Sequence, residues 1–231
     1  EDLHTLMMGG QHLVTVLGMG GTGKTRLAIR YGWDHLDRWP GGVWFCDLTE
    51  VQGVDGICVS LAAALGVPLS EGDTIEQLGH VLASRGRALL IFDNFEHVVE
   101  CGESTIGRWM TACPDAVFLV TSRTVLDLPG ETHLHLSTME SNDSVDLFLD
   151  RAQRARPDYK PTPMERDAIE ELVGVLDNLP LAIELAAARI RILTPSKMLA
   201  RVSDRFKLLT SRGGKNEAKT TLRGTLDWSW N

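Results

Sequence analysis

The segment LVTVLGMGGTGKTRLA, residues 13–28, places a buried strand, a glycine-rich turn and the beginning of a helix in immediate succession. Within it, Gly18 and the triplet Gly23-Lys24-Thr25 fill every fixed position of the phosphate-binding loop signature, G-x-x-x-x-G-K-[ST]. Glycines allow backbone conformations that turn several N–H groups inward, and the following helix presents its positive end to the same point. The segment therefore predicts a site for nucleotide phosphates. The alternative is a glycine-rich turn that only connects a strand to a helix.

The residue types in the loop have separate predicted roles. Lys24 would place a point charge on the β- and γ-phosphates, and the hydroxyl of Thr25 would complete the oxygen shell of a Mg²⁺ ion. The residues predicted to bind the nucleotide on this segment are Gly18, Gly20, Gly21, Thr22, Gly23, Lys24, Thr25 and Arg26.

Composition limits the class of protein. The chain has 231 residues, of which 43% are hydrophobic and 23% charged, and it contains no apolar run of the roughly 18 residues that span a membrane. We expect a soluble, cytoplasmic chain without membrane contacts. The net charge of -8 argues against a nucleic-acid-binding face, which needs a surplus of Lys and Arg. The four cysteines form no C-x-x-C pair and are predicted to be buried free thiols: Cys46, Cys58, Cys101 and Cys113.

Apolar strands and amphipathic helices alternate over residues 1–136. The strands are predicted at 12–17, 43–48, 88–93, 116–121 and 132–136, and the intervening helices at 23–36, 55–65 and 74–84. Near-continuous apolar strands are typical of a parallel sheet that is covered on both faces. The predicted fold class is α/β, a P-loop NTPase sheet sandwiched by helices.

The segment ALLIFDNFEH, residues 88–97, ends an apolar strand in Asp93. Ligands of open α/β sheets bind at this carboxyl edge, so Asp93 is predicted to hold Mg²⁺, directly or through water, although a lone Asp after a strand is often a turn residue. Asn94 or Glu96 could orient the attacking water. Glu96 could equally be an early-turn residue favoured by the helix dipole, and we favour that structural role.

The apolar strand AVFLVT, residues 116–121, delivers Arg123 to the same edge of the sheet. An arginine there can reach a γ-phosphate that a diphosphate lacks, which would let one side chain distinguish the two nucleotides. The alternative is an ordinary surface arginine after a strand.

From residue 137 the pattern changes to amphipathic helices, predicted at 141–156, 164–176, 179–192 and 195–205. Residues 137–210 are therefore expected to form a small domain of about four helices. Residues 211–220 are polar and predicted as a linker. The apolar residues of 222–230 resemble the first turns of a helix that would belong to a further domain.

Seven segments in order resemble the nucleotide-binding and helical ARC1-like parts of the STAND class of signalling ATPases. This class is also called NB-ARC, and the similarity is to the bacterial branch found in large transcriptional regulators. The segments are GMGGTGKTRLA, GGVWFCDL, LLIFDNFEHV, FLVTSR, LPGE, NLPLAIELAAARIRILTP and TLRGTLDWSW. The resemblance covers nearly the whole chain and implies ATP or ADP with Mg²⁺ as cofactors. It also implies a winged-helix-like domain after the linker, beginning within residues 211–231.

The resemblance also implies residue roles. It assigns Lys24 and Thr25 to the Walker A motif, Asp93 to Walker B and Arg123 to the sensor-1 position. Pro180 falls in the G-x-P motif, where the family's proline packs against adenine, with an Asn at the position of the Gly. Many relatives carry two adjacent acids in Walker B, and this chain has Asn after Asp, so slow hydrolysis is expected.

The implied function is an ATP/ADP-dependent molecular switch with slow ATP hydrolysis inside a larger regulatory protein. Its implied partners are another copy of the chain, or effector and sensor domains outside residues 1–231, and this segment is not expected to bind nucleic acid itself. Two alternatives stay open. A metabolic phosphotransferase would need a lid of Arg and Lys that the helical segment lacks. An interaction module with a degenerate nucleotide site is disfavoured by the intact signature over residues 18–25.

Overall fold

The computed structural model describes residues 3–210, with side chains to residue 202. The chain divides into two compact units, Glu1–Leu136 and Ser137–Asn231. The predicted linker at 211–220 and the segment 222–230 lie outside the described residues.

The first unit is built on a five-stranded parallel sheet. Its strands, in chain order, are β1 (Leu13–Leu17), β2 (Val43–Asp47), β3 (Leu89–Asp93), β4 (Val117–Ser122) and β5 (Glu131–His135). Their order across the sheet is β2-β3-β4-β1-β5, so β4 separates the strand that leads into the glycine-rich loop from the strand that ends in Asp93. The predicted α/β layer is confirmed, with strand ends within a residue or so of those expected.

Helices cover both faces of this sheet. In the first unit they are α1 (Leu3–Met8), α2 (Lys24–Asp34), α3 (Gly53–Leu65), α4 (Thr74–Arg85) and α5 (Arg108–Ala112). Val117 and Leu119 of β4 belong to the core shared with α1 and α2, while Phe118 and Val120 belong to the core shared with α3, α4 and α5. Because each face is buried against helices, successive β4 residues are all apolar up to Val120, as the sequence pattern indicated.

The second unit is helical over its described part. Its helices are α6 (Ser141–Ala155), α7 (Pro163–Val175), α8 (Pro180–Ala187) and α9 (Pro195–Thr210). They bury one apolar cluster that includes Phe148 of α6, Leu172 of α7 and Ile183 of α8, each with no exposed surface. Thr162 begins α7 with a capping box, in which its hydroxyl accepts from the Glu165 N–H and the Glu165 carboxylate accepts from the Thr162 N–H.

Two regions differ from the sequence predictions. The helix expected over 179–192 is α-helical only for Pro180–Ala187, and the chain continues in tighter turns in which the N–H of residue i bonds the carbonyl of residue i−3. Between β3 and β4 the chain forms short helical segments that no periodicity predicted: 3-10 turns at Phe95–His97 and Val99–Cys101, a π turn at Glu103–Gly107, and α5. Such short irregular helices do not repeat often enough to produce a 3.6-residue pattern.

All four cysteines lie within the described residues and are buried and unpaired, as predicted. Burial raises the pKa of Cys46 to about 12, so its thiol stays protonated at neutral pH. Among residues 3–210, no helix combines the length and apolar character needed to cross a bilayer.

Candidate functional site

The glycine-rich loop joins β1 to α2 in a conformation that requires glycine. Gly21 and Gly23 have positive φ angles of 86° and 98°, and a Cβ on Gly18 would lie 2.7 Å from the Leu136 carbonyl oxygen. Gly23 is the N-cap of α2, and no side chain among the described residues caps this helix end. The first-turn N–H groups of α2 therefore have no side-chain competitor, and an anionic phosphate fits the loop.

Lys24 is buried beneath the loop. Its ammonium donates to the carbonyl oxygens of Gly18 at 2.8 Å and Met19 at 3.0 Å. Burial lowers the pKa of Lys24 below its ordinary value, the charge of Arg123 lowers it further, and the carboxylates of Glu96 and Asp93 oppose this shift. Lys24 thus lies among the other charged groups of the predicted site, where a positive charge can meet phosphate.

Thr25 and Asp93, the two predicted magnesium ligands, are in direct contact. The Thr25 hydroxyl lies 2.7 Å from one carboxylate oxygen of Asp93 and 2.9 Å from the other, and the Thr121 hydroxyl also donates to this carboxylate. Asp93 is only 3% exposed. In the described part of the chain, no group of three or more His, Cys, Asp or Glu side chains is arranged so that it could hold a metal ion. One hydroxyl and one carboxylate fit Mg²⁺, which keeps several waters and takes phosphate oxygens as further ligands.

Asn94 adopts a left-handed conformation, with φ of 61°, directly after Asp93. Its side-chain amide donates to the Asp93 carboxylate at 3.0 Å and to the Thr49 hydroxyl at 2.9 Å, and its backbone N–H donates to the Thr121 hydroxyl at 3.1 Å. An amide cannot accept a proton from water at neutral pH. Asn94 is therefore placed to orient Asp93 and Thr49, not to act as a general base.

Glu96 and Arg123 form an ion pair, with 3.0 Å between Glu96 Oε1 and Arg123 Nε. The Arg123 guanidinium also lies against the loop, since a Cβ on Gly20 would be 3.2 Å from Arg123 Nη2. The structure thus brings Arg123 to the phosphate loop. Glu96 lies in the first turn of a short 3-10 helix, as the structural alternative expected, and its side chain also pairs with Arg123, which the local sequence did not predict.

Three polar residues at this edge were not among the predicted site residues: Asp47, Thr49 and Thr121. The Asp47 carboxylate accepts from the backbone N–H and the hydroxyl of Thr49. A signal was available, because β2 and β3 both end an apolar run in Asp, and Asp47 pairs with Asp93 in the sheet register. Thr121 was expected at this edge together with Arg123, but its contact with Asp93 was not, because that contact depends on β4 lying beside β3.

A family model described as an AAA domain matches residues 7–134, more than half of the chain. The matched region contains the phosphate loop, Asp93, Glu96 and Arg123. The chain belongs to this AAA family. Its parallel sheet, phosphate loop and flanking helices form a P-loop ATPase fold, which implies nucleotide binding.

The AAA chain is also similar to several bacterial proteins. It is 35% identical over 226 residues to an uncharacterized protein of Mycobacterium tuberculosis, covering 96% of this chain and 57% of that protein. It is 34% identical to a putative HTH-type transcriptional regulator of the same species, covering 96% of this chain and 25% of the regulator. It is 28% identical to the regulatory protein AfsR of Streptomyces griseus, covering 90% and 22%. The chain thus spans little more than half the length of the uncharacterized protein and a quarter or less of the length of the two regulators.

Two solved structures share the fold of the AAA chain. The Walker-type ATPase of Pyrococcus abyssi superposes with a TM-score of 0.62 at 16% identity, covering 94% of this chain and 73% of that one. A STAND protein of Pyrococcus horikoshii with a tetratricopeptide repeat sensor superposes with a TM-score of 0.54 at 15% identity, covering 78% and 28%. At these identities the likeness establishes the fold alone.

Two further predicted nucleotide contacts are Arg26 and Pro180. Arg26 is exposed on the first turn of α2. Pro180 lies in the second unit, outside the region matched by the AAA family, and occupies the first turn of α8. Just before it, Asp177 and Asn178 have positive φ angles of 56° and 52°. Asn tolerates this left-handed conformation better than most residues, which explains how it can stand where the resemblance leads us to expect Gly.

Proposed function

We propose that this chain is an ATP/ADP-dependent molecular switch with slow ATP hydrolysis, the regulatory ATPase core of a larger signalling or transcription-regulating protein. The observation that carries the proposal is the position of Arg123. Its guanidinium adjoins Gly20 of the phosphate loop and pairs with Glu96, a carboxylate that is only 10% exposed. An arginine in this position can respond to a γ-phosphate, which ATP has and ADP lacks.

The proposed assignment of roles follows the contacts at the sheet edge. The loop amides, Lys24 and Arg26 bind the phosphates, while Thr25 and Asp93 hold Mg²⁺. The ion would supply charge neutralisation between the phosphate oxygens. Thr25 and Asp93 already lie in hydrogen-bonding contact, so the two side chains converge on one position.

We expect slow hydrolysis because the carboxylates at the site, which could act as a general base toward water, are engaged in other contacts. Asp93 accepts hydrogen bonds from Thr25, Thr121 and Asn94, and a carboxylate held in this way is poorly placed to take a proton from water. Two further carboxylates lie at this edge: Glu96 pairs with Arg123, and Asp47 accepts from the backbone N–H and the hydroxyl of Thr49. Asn94 or Glu96 would orient the water at most, so the protein would report the bound nucleotide rather than turn it over quickly.

The wider architecture of the switch is also a proposal. We assign residues 137–210 to an ARC1-like helical domain that is reoriented on exchange of ADP for ATP, with Pro180 against the adenine. The chain's membership of the STAND class, its self-association and its contacts with effector or sensor domains belong to the same hypothesis. Names of relatives, which include transcriptional regulators, favour a regulatory setting. A near-complete shift between two states needs a difference in nucleotide affinity of about 5 kcal/mol.

The test of the switch is the substitution Arg123→Ala. Wild type should distinguish Mg-ADP from the magnesium complex of the β,γ-imido analogue of ATP. The variant should lose about tenfold or more of its affinity for the analogue, because a charge-assisted hydrogen bond to phosphate contributes about 1.5–3 kcal/mol. Its affinity for ADP should change little. Calorimetric titration of both nucleotides measures the ratio.

Arg108→Ala is the matched control. Arg108 is a comparably exposed arginine whose guanidinium lies 3.1 Å from the Asp73 carboxylate, on α5 and away from the loop. An unchanged affinity ratio in Arg123→Ala would refute the sensing role.

A further inference from the structure

Glu96 depends on its ion pair with Arg123. Its side chain is 10% exposed, whereas that of Arg123 is 59% exposed. The Glu96 Oε2 atom is buried and has no hydrogen-bond partner in the part of the chain that the structure describes. A buried carboxylate is stable only while a cation or hydrogen-bond donors compensate its charge, so withdrawal of Arg123 carries a free-energy cost.

Arg123 lies between Glu96 and the phosphate loop. Its Nε is 3.0 Å from the Glu96 carboxylate, and its Nη2 adjoins Gly20 on the other side. The ammonium of Lys24 also interacts electrostatically with Glu96. The same two cations therefore face both an internal carboxylate and the position that nucleotide phosphates would occupy.

We propose that Glu96 sets the nucleotide specificity of the switch by competing with the γ-phosphate for the guanidinium of Arg123. This inference rests on the function proposed above. With a diphosphate bound, the Glu96–Arg123 pair persists. A triphosphate presents a more highly charged anion near Gly20, and Arg123 exchanges the carboxylate for the phosphate. Uncovering Glu96 opposes this exchange, so the carboxylate lowers the affinity for triphosphate and makes Arg123 respond only to a γ-phosphate.

The decisive substitution is Glu96→Gln, which keeps the shape of the side chain and removes its charge. We expect the affinity for the magnesium complex of the β,γ-imido analogue to rise about tenfold, which corresponds to about 1.4 kcal/mol. The affinity for Mg-ADP should rise by no more than about threefold, through the weaker and more general effect on Lys24. Glu96→Asp retains the charge but shortens the side chain, and it should shift the ratio in the same direction.

Two controls complete the experiment. Glu100→Gln removes the same charge from an exposed position on the next turn and should leave both affinities unchanged. In an Arg123→Ala background, Glu96→Gln should raise the two affinities by the same factor, because the contested cation is gone.

The inference is overturned if Glu96→Gln raises both affinities equally in the wild-type background, or if its preference for the analogue persists without Arg123. A weaker affinity for the analogue overturns it as well. These outcomes leave the proposed function intact, provided that wild type binds both nucleotides and that the affinity ratio depends on Arg123. Failure of wild type to bind either nucleotide would instead refute the proposed function itself.

Discussion

The two units treat buried polar side chains in opposite ways. Within residues 3–202, the buried polar or charged side chains at the carboxyl edge of the sheet or in the loop are Thr22, Lys24, Asp93, Thr121 and Ser122. Among the described residues of the second unit, the buried polar side chain is that of Ser144. Burying polar groups costs free energy unless they are paired, so their concentration at one edge indicates a ligand site, while the helical unit is built for packing.

The largest effect should follow Lys24→Ala, which removes one of the buried charged side chains at the carboxyl edge of the sheet. We expect it to abolish measurable nucleotide binding, because it removes the buried ammonium that faces the loop. For wild type, Mg-ADP at a hundred times its dissociation constant should stabilise the fold by about 2.7 kcal/mol, which a thermal-shift titration detects as a rise in Tm. The variant should show no rise.

Arg30→Ala is the control for that loss. Arg30 lies on the same helix, is exposed, and pairs with Asp34 four residues on, so its removal should leave the Mg-ADP shift intact. If Lys24→Ala still bound Mg-ADP as wild type does, the nucleotide site would have to lie elsewhere.

A second substitution, Phe148→Ala, tests the packing of the helical unit. Phe148 has no exposed surface within the apolar cluster of α6, α7 and α8, so truncation should lower the free energy of unfolding by about 3–5 kcal/mol. Urea denaturation followed by amide hydrogen exchange over residues 141–187 measures the loss. Met164→Ala is the surface control, since Met164 is 78% exposed and should cost no more than about 0.5 kcal/mol. Equal losses in the two variants would contradict the assignment of Phe148 to the core.

The smallest effect should come from the start of α7. Thr162→Ala removes the hydroxyl that accepts from the Glu165 N–H and should destabilise the unit by about 1 kcal/mol. Thr162→Ser keeps the hydroxyl and should recover most of that loss in the same urea titration. If serine were no better than alanine, the capping box would contribute nothing measurable, and packing alone would account for the stability of the helical unit.

Much of the fold was predictable because local patterns carry it. Four of the five strands were predicted from apolar runs and β5 from an alternating pattern, and each ends within a residue or so of the predicted position. The region between β3 and β4 was not predicted, since Phe95 and Trp109 are buried there by tertiary contacts on short helical turns that lack a helical repeat.

The residue types of the candidate site were predictable from the sequence, but the contacts between those residues were only partly predictable. The glycines of the loop, Lys24 and Asp93 each follow from a motif or a strand end. The role of Glu96 did not follow from a motif or a strand end, because an acidic residue in a first turn is already explained by its interaction with the helix dipole. Its contact with Arg123, more than twenty residues further along the chain, is a tertiary contact that the local sequence does not predict.

The sequence by itself determined the phosphate loop, the alternation of strands and helices, and the change to helices alone after residue 136 within the described part of the chain. Each of these features depends on residue types and on spacings between residues that are close in sequence. The tertiary structure decided the strand order that inserts β4 between β1 and β3. That order brings Thr121 to Asp93 and Arg123 to Glu96 and Gly20. These contacts join residues from different strands and loops, and no local pattern encodes which strands become neighbours.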